Sequence, residues 1–157
     1  MIPLERFFFQ LGSHEWGEWA EDALRFETVA EVQDYIDRFF DRLTSEWLAR
    51  GFKNPIRLKY ALSESVMNAW MHGNRCDPAR KVVVRHGYVS ETFILEVIDE
   101  GEGFDVETVP DPGEGDNVYR DCGRGIWLIR HFTDSVTWSG NRLRMAFGKA
   151  LMEPGLS

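Results

Sequence analysis

The chain has 157 residues, of which 43% are hydrophobic and 28% are charged, so it is long enough for one well-packed core and too short for two. Its 26 acidic residues outnumber the 18 lysines and arginines, which gives a formal net charge of −8. We therefore expect no direct binding to nucleic acid, because most of the surface would repel a polyanion. A small anionic ligand is compatible with this charge where backbone amides, a metal ion or one or two basic side chains hold it locally.

Targeting signals are not found in the sequence. No apolar run reaches the roughly 20 residues that span a bilayer, and the N-terminus lacks the basic start and apolar stretch of a secretory signal. Cys76 and Cys122 form neither a closely spaced metal pair nor a disulfide framework, and His72 with Cys76 alone does not make a zinc site. We expect a cytoplasmic protein with free thiols and no membrane partner.

The N-terminal part is predicted to contain a short strand and one long helix. Leu4–Leu11 is strand-like, and Gly12–Asp22 is typical of an irregular or weakly helical lead-in. Thr28 with Glu31 three residues later matches a capping box, and apolar residues then recur at helical spacing. These features predict an amphipathic helix that ends near Gly51.

A second helix and a hairpin are predicted next. Asn54 before Pro55 predicts a helix start with Asn54 as the cap, and this helix should run to about Gly73. Val82–Val89 and Thr92–Ile98 are β-branched and aromatic runs separated by a polar turn. This pattern favours an antiparallel hairpin.

The C-terminal part begins with a long irregular segment. The stretch between Glu100 and Cys122 is rich in glycine and has no periodicity, which is typical of a functional lid or binding loop. A short helix is predicted at Ile126–Phe132, followed by a hairpin formed by Val136–Trp138 and Leu143–Phe147. The element order predicts an α+β two-layer sandwich, with helices packed on one face of a mixed, mostly antiparallel sheet.

Two groups of polar and small residues could carry chemistry. Glu64 and Asn68 are four residues apart on the second predicted helix, so they share one face and could serve as a base and a metal ligand, or simply be solvated. Asp99 ends a predicted strand and is followed by Gly101 and Gly103, which would let a flat ligand approach the backbone. The same aspartate and glycines would also make a good turn.

A third group is the run Gly123, Arg124, Gly125 and Ile126, which opens a predicted helix. Unpaired amides and the positive end of the helix dipole favour a phosphate there. Each group alone is a weak signal. Their joint order, with a long loop before the last one, predicts a nucleotide site that includes a metal ion.

The same residues resemble a known superfamily. Ala61–Ala69 with His72–Asn74 is similar to the N box of the GHKL ATPases and kinases, Val97–Asp105 to the first glycine box, and Gly123–Arg130 to the second. Within that superfamily the chain resembles the RsbW- and SpoIIAB-like anti-sigma factor serine kinases, over roughly Leu24–Lys149.

The resemblance implies an organisation and a function. Residues 24–150 would form the GHKL ATP-binding kinase domain, after an N-terminal extension of residues 1–23 and before a tail of residues 151–157. The implied function is an ATP-dependent protein serine/threonine kinase in transcription regulation. It would bind a sigma factor or similar target, phosphorylate a STAS-type anti-sigma factor antagonist, and form a homodimer. The alternative is a non-catalytic ATP-binding regulatory module that sequesters a protein partner.

The resemblance also implies roles at the nucleotide base and at the metal. Glu64 would be the catalytic base, and Asn68 would bind the Mg²⁺ that bridges the ATP phosphates. Asp99 would accept a hydrogen bond from the adenine amino group, with Gly101 and Gly103 shaping the base pocket. The last strand lacks the serine or threonine that many superfamily members place near adenine.

The phosphates would be held by the second glycine box. Gly123 and Gly125 would supply backbone amides, Arg124 would contact the γ-phosphate, and Ile126 completes this cofactor-binding set. His72 and Asn74 border the N box and are further candidates for contacts with the phosphates or the lid.

Overall fold

The structure is a computed structural model that describes residues 19–103 and 121–149, without the side chains of residues 121–123. The described elements are, in chain order, β1 (Ala20–Leu24), α1 (Val29–Ala49), α2 (Ile56–Asn68), a π-helical turn (Ala69–Gly73), β2 (Val82–Val89), β3 (Thr92–Ile98), α3 (Asp121–Phe132), β4 (Ser135–Ser139) and β5 (Arg142–Gly148). The predicted strand at residues 4–11, the predicted tail and most of the predicted lid lie outside the described residues.

The five described strands form one sheet in the order β1-β2-β3-β5-β4, and every pairing among them is antiparallel. The predicted α+β sandwich is confirmed, but over the described residues the sheet is antiparallel throughout and not mixed. None of the helices in residues 19–103 and 121–149 is long and apolar enough to cross a bilayer.

Among the described strands, β1 lies at the edge of the sheet, and the sequence did not predict it. It pairs with β2 from Ala20 opposite His86 to Leu24 opposite Val82, so the expectation of an irregular or helical lead-in up to Asp22 is wrong for these residues. Acidic residues disfavour strands, but here the Asp22 carboxylate accepts hydrogen bonds from the Tyr35 hydroxyl at 2.9 Å and from Arg42 at 3.1 Å. The domain boundary at residue 24 stays a prediction.

The predicted Thr28 cap at the start of α1 is confirmed, but the reciprocal bond of the predicted capping box goes to the Glu27 amide and not to that of the N-cap Thr28. The Thr28 hydroxyl accepts a hydrogen bond from the Glu31 amide at 3.2 Å, and the Glu31 carboxylate accepts one from the Glu27 amide at 2.6 Å. The helix ends at Ala49, close to Gly51, whose φ of +89° breaks the helical path. The residues that α1 buries are Val32, Ile36, Phe39, Leu43 and Trp47.

The starts of α2 and α3 differ from the predictions. Asn54 has a φ of +50° and accepts a hydrogen bond through its backbone carbonyl, from the Arg57 amide. Pro55 is the N-cap and makes no side-chain cap bond, so the prediction of an Asn54 cap is wrong. α3 begins at Asp121, five residues before the predicted start at Ile126, although its glycines lower helix propensity.

Trp47 joins the helical layer to the sheet. Its side chain is fully buried, and its ring centroid lies 4.9 Å from that of Phe52, 5.3 Å from Phe93 and 5.6 Å from Phe147. Because Phe93 is on β3 and Phe147 on β5, one side chain fixes α1 against the centre of the sheet.

We predict that Trp47→Ala lowers the free energy of unfolding by about 3–5 kcal/mol, the usual cost of deleting a buried aromatic side chain. Leu48→Ala is the matched control, because Leu48 is the next residue on α1 and is 52% exposed. That variant should change stability by less than about 0.5 kcal/mol. Urea denaturation followed by circular dichroism measures both values, and similar losses in the two variants would contradict this view of the core.

Candidate functional site

A cavity of about 700 Å³ lies where α2, its π-helical turn, the end of β3, the β4–β5 turn and α3 meet. Predicted residues from all three motifs line it, namely Asn68, Asp99, Gly101, Gly103 and Ile126. Its volume is within the range of small-ligand sites in proteins. The fold therefore gathers at one place motifs that are far apart in the sequence.

α3 passes directly over the polar pair on α2. A Cβ atom at Gly125 would lie 2.9 Å from the Asn68 amide nitrogen and 2.9 Å from the Glu64 carboxylate. Only glycine leaves room for both side chains under the helix. Glu64 and Asn68 thus share one face of α2, as predicted, and lie beneath the second glycine box.

The first turn of α3 contains Gly123 and Arg124, and Arg124 is exposed. The first amides of a helix have no partner within the helix, so the backbone at Gly123 can donate to an anion. Gly125 is one residue beyond Arg124, and the contact that the structure shows for it is the close approach to Glu64 and Asn68.

Glu64 is half-buried, and this burial raises the pKa of its carboxyl group above the ordinary value. Burial disfavours the ionised form, because fewer water molecules solvate the charge. A glutamate with a raised pKa is a better proton acceptor at neutral pH than an ordinary one.

Asp99 lies against Gly73, the last residue of the π-helical turn. Its Oδ1 accepts a hydrogen bond from the Gly101 amide at 2.7 Å, and a Cβ atom at Gly73 would collide with the carboxylate. Burial raises the pKa of Asp99, while the Gly101 amide and the charge of Arg80 oppose that rise. A Cβ atom at Gly101 would in turn collide with the carbonyl oxygen of Gly73.

Gly103 lines the cavity where the first glycine box contacts the β4–β5 turn. It has a φ of +79°, and a Cβ atom there would lie 2.5 Å from the carbonyl group of Gly140 in the β4–β5 turn. The first glycine box is therefore in close backbone contact with the second hairpin.

Two asparagines were not predicted in the roles that the structure gives them. Asn74 is fully buried, and its side chain accepts from the Glu100 amide at 2.8 Å and donates to the carbonyl of Lys81 at 2.9 Å, so these contacts hold the backbone. Asn141 donates from its side chain to the carbonyl of Asp99 at 2.5 Å. Asparagine is common in turns, so no sequence signal distinguishes these two.

Basic side chains that the sequence did not single out also line the cavity, namely Arg75, Arg80 and Arg142. Four acidic residues also line the cavity, so the lining as a whole carries no excess of positive charge; they are Asp77, Asp99, Glu100 and Glu102. An anionic ligand would therefore be held by individual arginines, backbone amides or a metal ion, and not by the overall charge of the cavity.

The residues fit ATP with Mg²⁺. In residues 19–103 and 121–149, no group of three or more histidines, cysteines, aspartates or glutamates could hold a metal ion by itself. Mg²⁺ is usually held by one or two protein ligands together with substrate phosphates, and the Asn68 amide oxygen suits this arrangement. Gly101 and Gly103 have no side chains, so a flat base could approach the backbone of the cavity wall beside Asp99.

We predict that Gly125→Ala weakens MgATP binding without lowering stability. Alanine is the better helix former, and the added Cβ atom would push aside two flexible side chains, those of Glu64 and Asn68. Thermal unfolding and calorimetric titration with MgATP measure the two effects separately. Unchanged affinity, or a loss of affinity explained entirely by unfolding, would contradict the geometry at Gly125.

A family model of the histidine kinase-like ATPase domain matches residues 19–147. This segment covers most of the 157 residues and includes Glu64, Asn68, Asp99 and both glycine boxes. No curated protein was found to match the chain. Because the matched segment contains every part of the cavity described above, the chain belongs to the histidine kinase-like ATPase domain family and is an ATP-binding module of the GHKL type.

Proposed function

We propose that the chain is an ATP-dependent protein serine/threonine kinase of the anti-sigma factor type. The observation that carries the proposal is the position of Glu64, a half-buried carboxylate with a raised pKa, one turn from Asn68 and in close contact with Gly125. A module that only binds ATP does not require a proton acceptor at this place, whereas transfer to a hydroxyl group does.

The nucleotide would lie along the cavity with its base at β3 and its phosphates at α3. Asp99 would accept a hydrogen bond from the adenine amino group, and Asn68 would coordinate Mg²⁺ through its amide oxygen. The backbone at Gly123 and the side chain of Arg124 would hold the terminal phosphates. Bound MgATP supplies a phosphoryl group whose charge is partly neutralised, so transfer depends mainly on positioning.

Glu64 would accept the proton of the attacking serine or threonine hydroxyl. The acceptor oxygen forms a bond to the γ-phosphorus while the bond from that phosphorus to the bridging oxygen breaks, and ADP leaves. The protonated Glu64 then returns its proton to solvent. The acceptor must reach Glu64 from outside the cavity, which suits a hydroxyl carried on a protein surface.

For the partners we propose a STAS-type anti-sigma factor antagonist as the phosphate acceptor and a sigma factor or similar protein as the inhibited target. We also propose a homodimer that acts in the cytoplasm and regulates transcription. The support for these points is the resemblance of the three boxes to the RsbW- and SpoIIAB-like kinases. The net charge of −8 agrees with a protein partner and not with direct binding to DNA.

We predict that Glu64→Gln lowers phosphoryl transfer by about 100-fold or more, the usual contribution of a general base, while the affinity for ATP stays nearly constant. The assay incubates the protein with Mg²⁺, γ-labelled ATP and the STAS-type antagonist encoded beside it. Glu91→Gln is the matched control, because Glu91 lies in the β2–β3 turn and pairs with Lys149.

Two results would contradict the kinase proposal. Full transfer by Glu64→Gln would remove the base from the mechanism. ATP binding by the wild-type protein with no transfer would favour the non-catalytic regulatory module, whose capture of a partner should depend on nucleotide and not on Glu64.

We predict that kcat falls as the pH is lowered. This fall should occur at a higher pH than it would if the base were a glutamate with the ordinary pKa. Glu64 must be ionised to accept a proton, and burial raises its pKa from the ordinary value of 4.5. At any given acidic pH, a larger fraction of Glu64 is therefore protonated and inactive. The measurement is kcat against pH at saturating ATP, with circular dichroism confirming that the protein stays folded. An acid limb at or below 4.5 would contradict the prediction.

A further inference from the structure

Two asparagine side chains hold the peptide unit that joins Asp99 to Glu100. The carbonyl of this unit accepts a hydrogen bond from the Asn141 side chain at 2.5 Å. Its N–H, which belongs to Glu100, donates to the side-chain oxygen of Asn74 at 2.8 Å. We call these two side chains the amide clamp. They come from opposite sides of the site, one after the π-helical turn and the other from the β4–β5 turn.

The amide clamp binds the first peptide unit beyond the backbone pairing of β3. The last residue of β3 is Ile98, which pairs with Val83 on one side and Arg142 on the other. Beyond it, the Asp99 amide still donates to the backbone carbonyl of Asn141 at 3.1 Å. The next peptide unit lies beyond both ladders, so side chains satisfy its two polar groups.

These bonds determine the direction of the Asp99 side chain. A peptide unit is planar, so hydrogen bonds to both its carbonyl and its N–H fix the ψ torsion of Asp99. The Asn141 carbonyl fixes the unit on the other side of the Asp99 Cα atom. With both backbone neighbours fixed, the Cα–Cβ bond of Asp99 has only one direction available.

The carboxylate itself is then oriented by its own contacts. Oδ1 accepts from the Gly101 amide at 2.7 Å. In the described parts of the chain Oδ2 accepts no hydrogen bond, and it lies against Gly73 at the wall of the cavity. Among the described residues, Oδ2 is therefore the carboxylate oxygen of Asp99 that has no hydrogen-bond donor.

We propose that Asn74 and Asn141 are positioning residues that aim Oδ2 of Asp99 at the exocyclic amino group of the purine, and that the amide clamp thereby determines the selection of 6-aminopurine nucleotides. The proposal rests on the adenine-binding role of Asp99 in the proposed function.

The test compares two nucleotides that differ only at the group in question. ATP carries the 6-amino group, and purine riboside triphosphate has hydrogen in its place. Calorimetric titration with each, in the presence of Mg²⁺, gives a ratio of dissociation constants. The wild-type protein should prefer ATP by roughly tenfold or more, the value of a hydrogen bond to a charged group.

Asn141→Ala is the first variant, because this side chain is only partly buried and lies in a turn. It should bind ATP more weakly and purine riboside triphosphate almost as the wild type does, so that the ratio falls to within about threefold of one. Asn74→Ala, at a fully buried position, should shift the ratio in the same direction. Ser139→Ala is the matched control, on the same hairpin but exposed, and should keep the wild-type ratio.

The ratio of the two dissociation constants distinguishes a residue that positions Asp99 from one that only stabilises the fold. A variant that only destabilises the protein loses affinity for both nucleotides equally and keeps the wild-type ratio, and that result in Asn141→Ala would overturn the proposal. A wild-type protein that binds both nucleotides equally would overturn the role of Asp99, and the amide clamp with it. A preference that is present in the wild type and intact in both asparagine variants would overturn the amide clamp alone.

Discussion

The π-helical turn after α2 and the residues that follow β3 meet so closely that no side chain fits at either glycine of the junction. A Cβ atom at Gly73 would occupy the space of the Asp99 carboxylate, and one at Gly101 would occupy that of the Gly73 carbonyl. The wider π-helical turn at Ala69–Gly73 carries the chain into this contact, and such turns are frequent at functional sites. The distance between Asn68 and the base pocket follows from this one junction.

The phosphate side of the site depends on a second close approach of the same kind. Gly125 lets the backbone of α3 pass over Glu64 and Asn68, which puts the proposed base and the proposed metal ligand under a helix start. Both junctions place backbone groups where a ligand can reach them. In the proposed complex, backbone amides, a metal ion and individual arginines would hold the triphosphate of an acidic protein in place of a basic surface.

Sequence patterns predicted the elements that have strong local signals. The bounds of β2 and β3 were predicted correctly, because two runs of β-branched and aromatic residues separated by a polar turn mark a hairpin. β1 was missed since pairing with β2, and not its acidic sequence, makes it a strand. The roles of Asn74 and Asn141 in holding the backbone were missed for another reason. Their side chains bond to residues 26 and 42 positions away in the sequence, which no local pattern encodes. The residues brought to the cavity were predicted only because three motifs were considered jointly.

The most direct test of this account is a crystal structure with Mg²⁺ and a non-hydrolysable ATP analogue. In that structure the 6-amino group should lie within hydrogen-bonding distance of Oδ2 of Asp99, and the amide oxygen of Asn68 should bind Mg²⁺. Glu64 should face the terminal phosphate from the side that is open to solvent. A nucleotide bound outside the cavity, or bound in it with the amino group away from Asp99, would contradict the account.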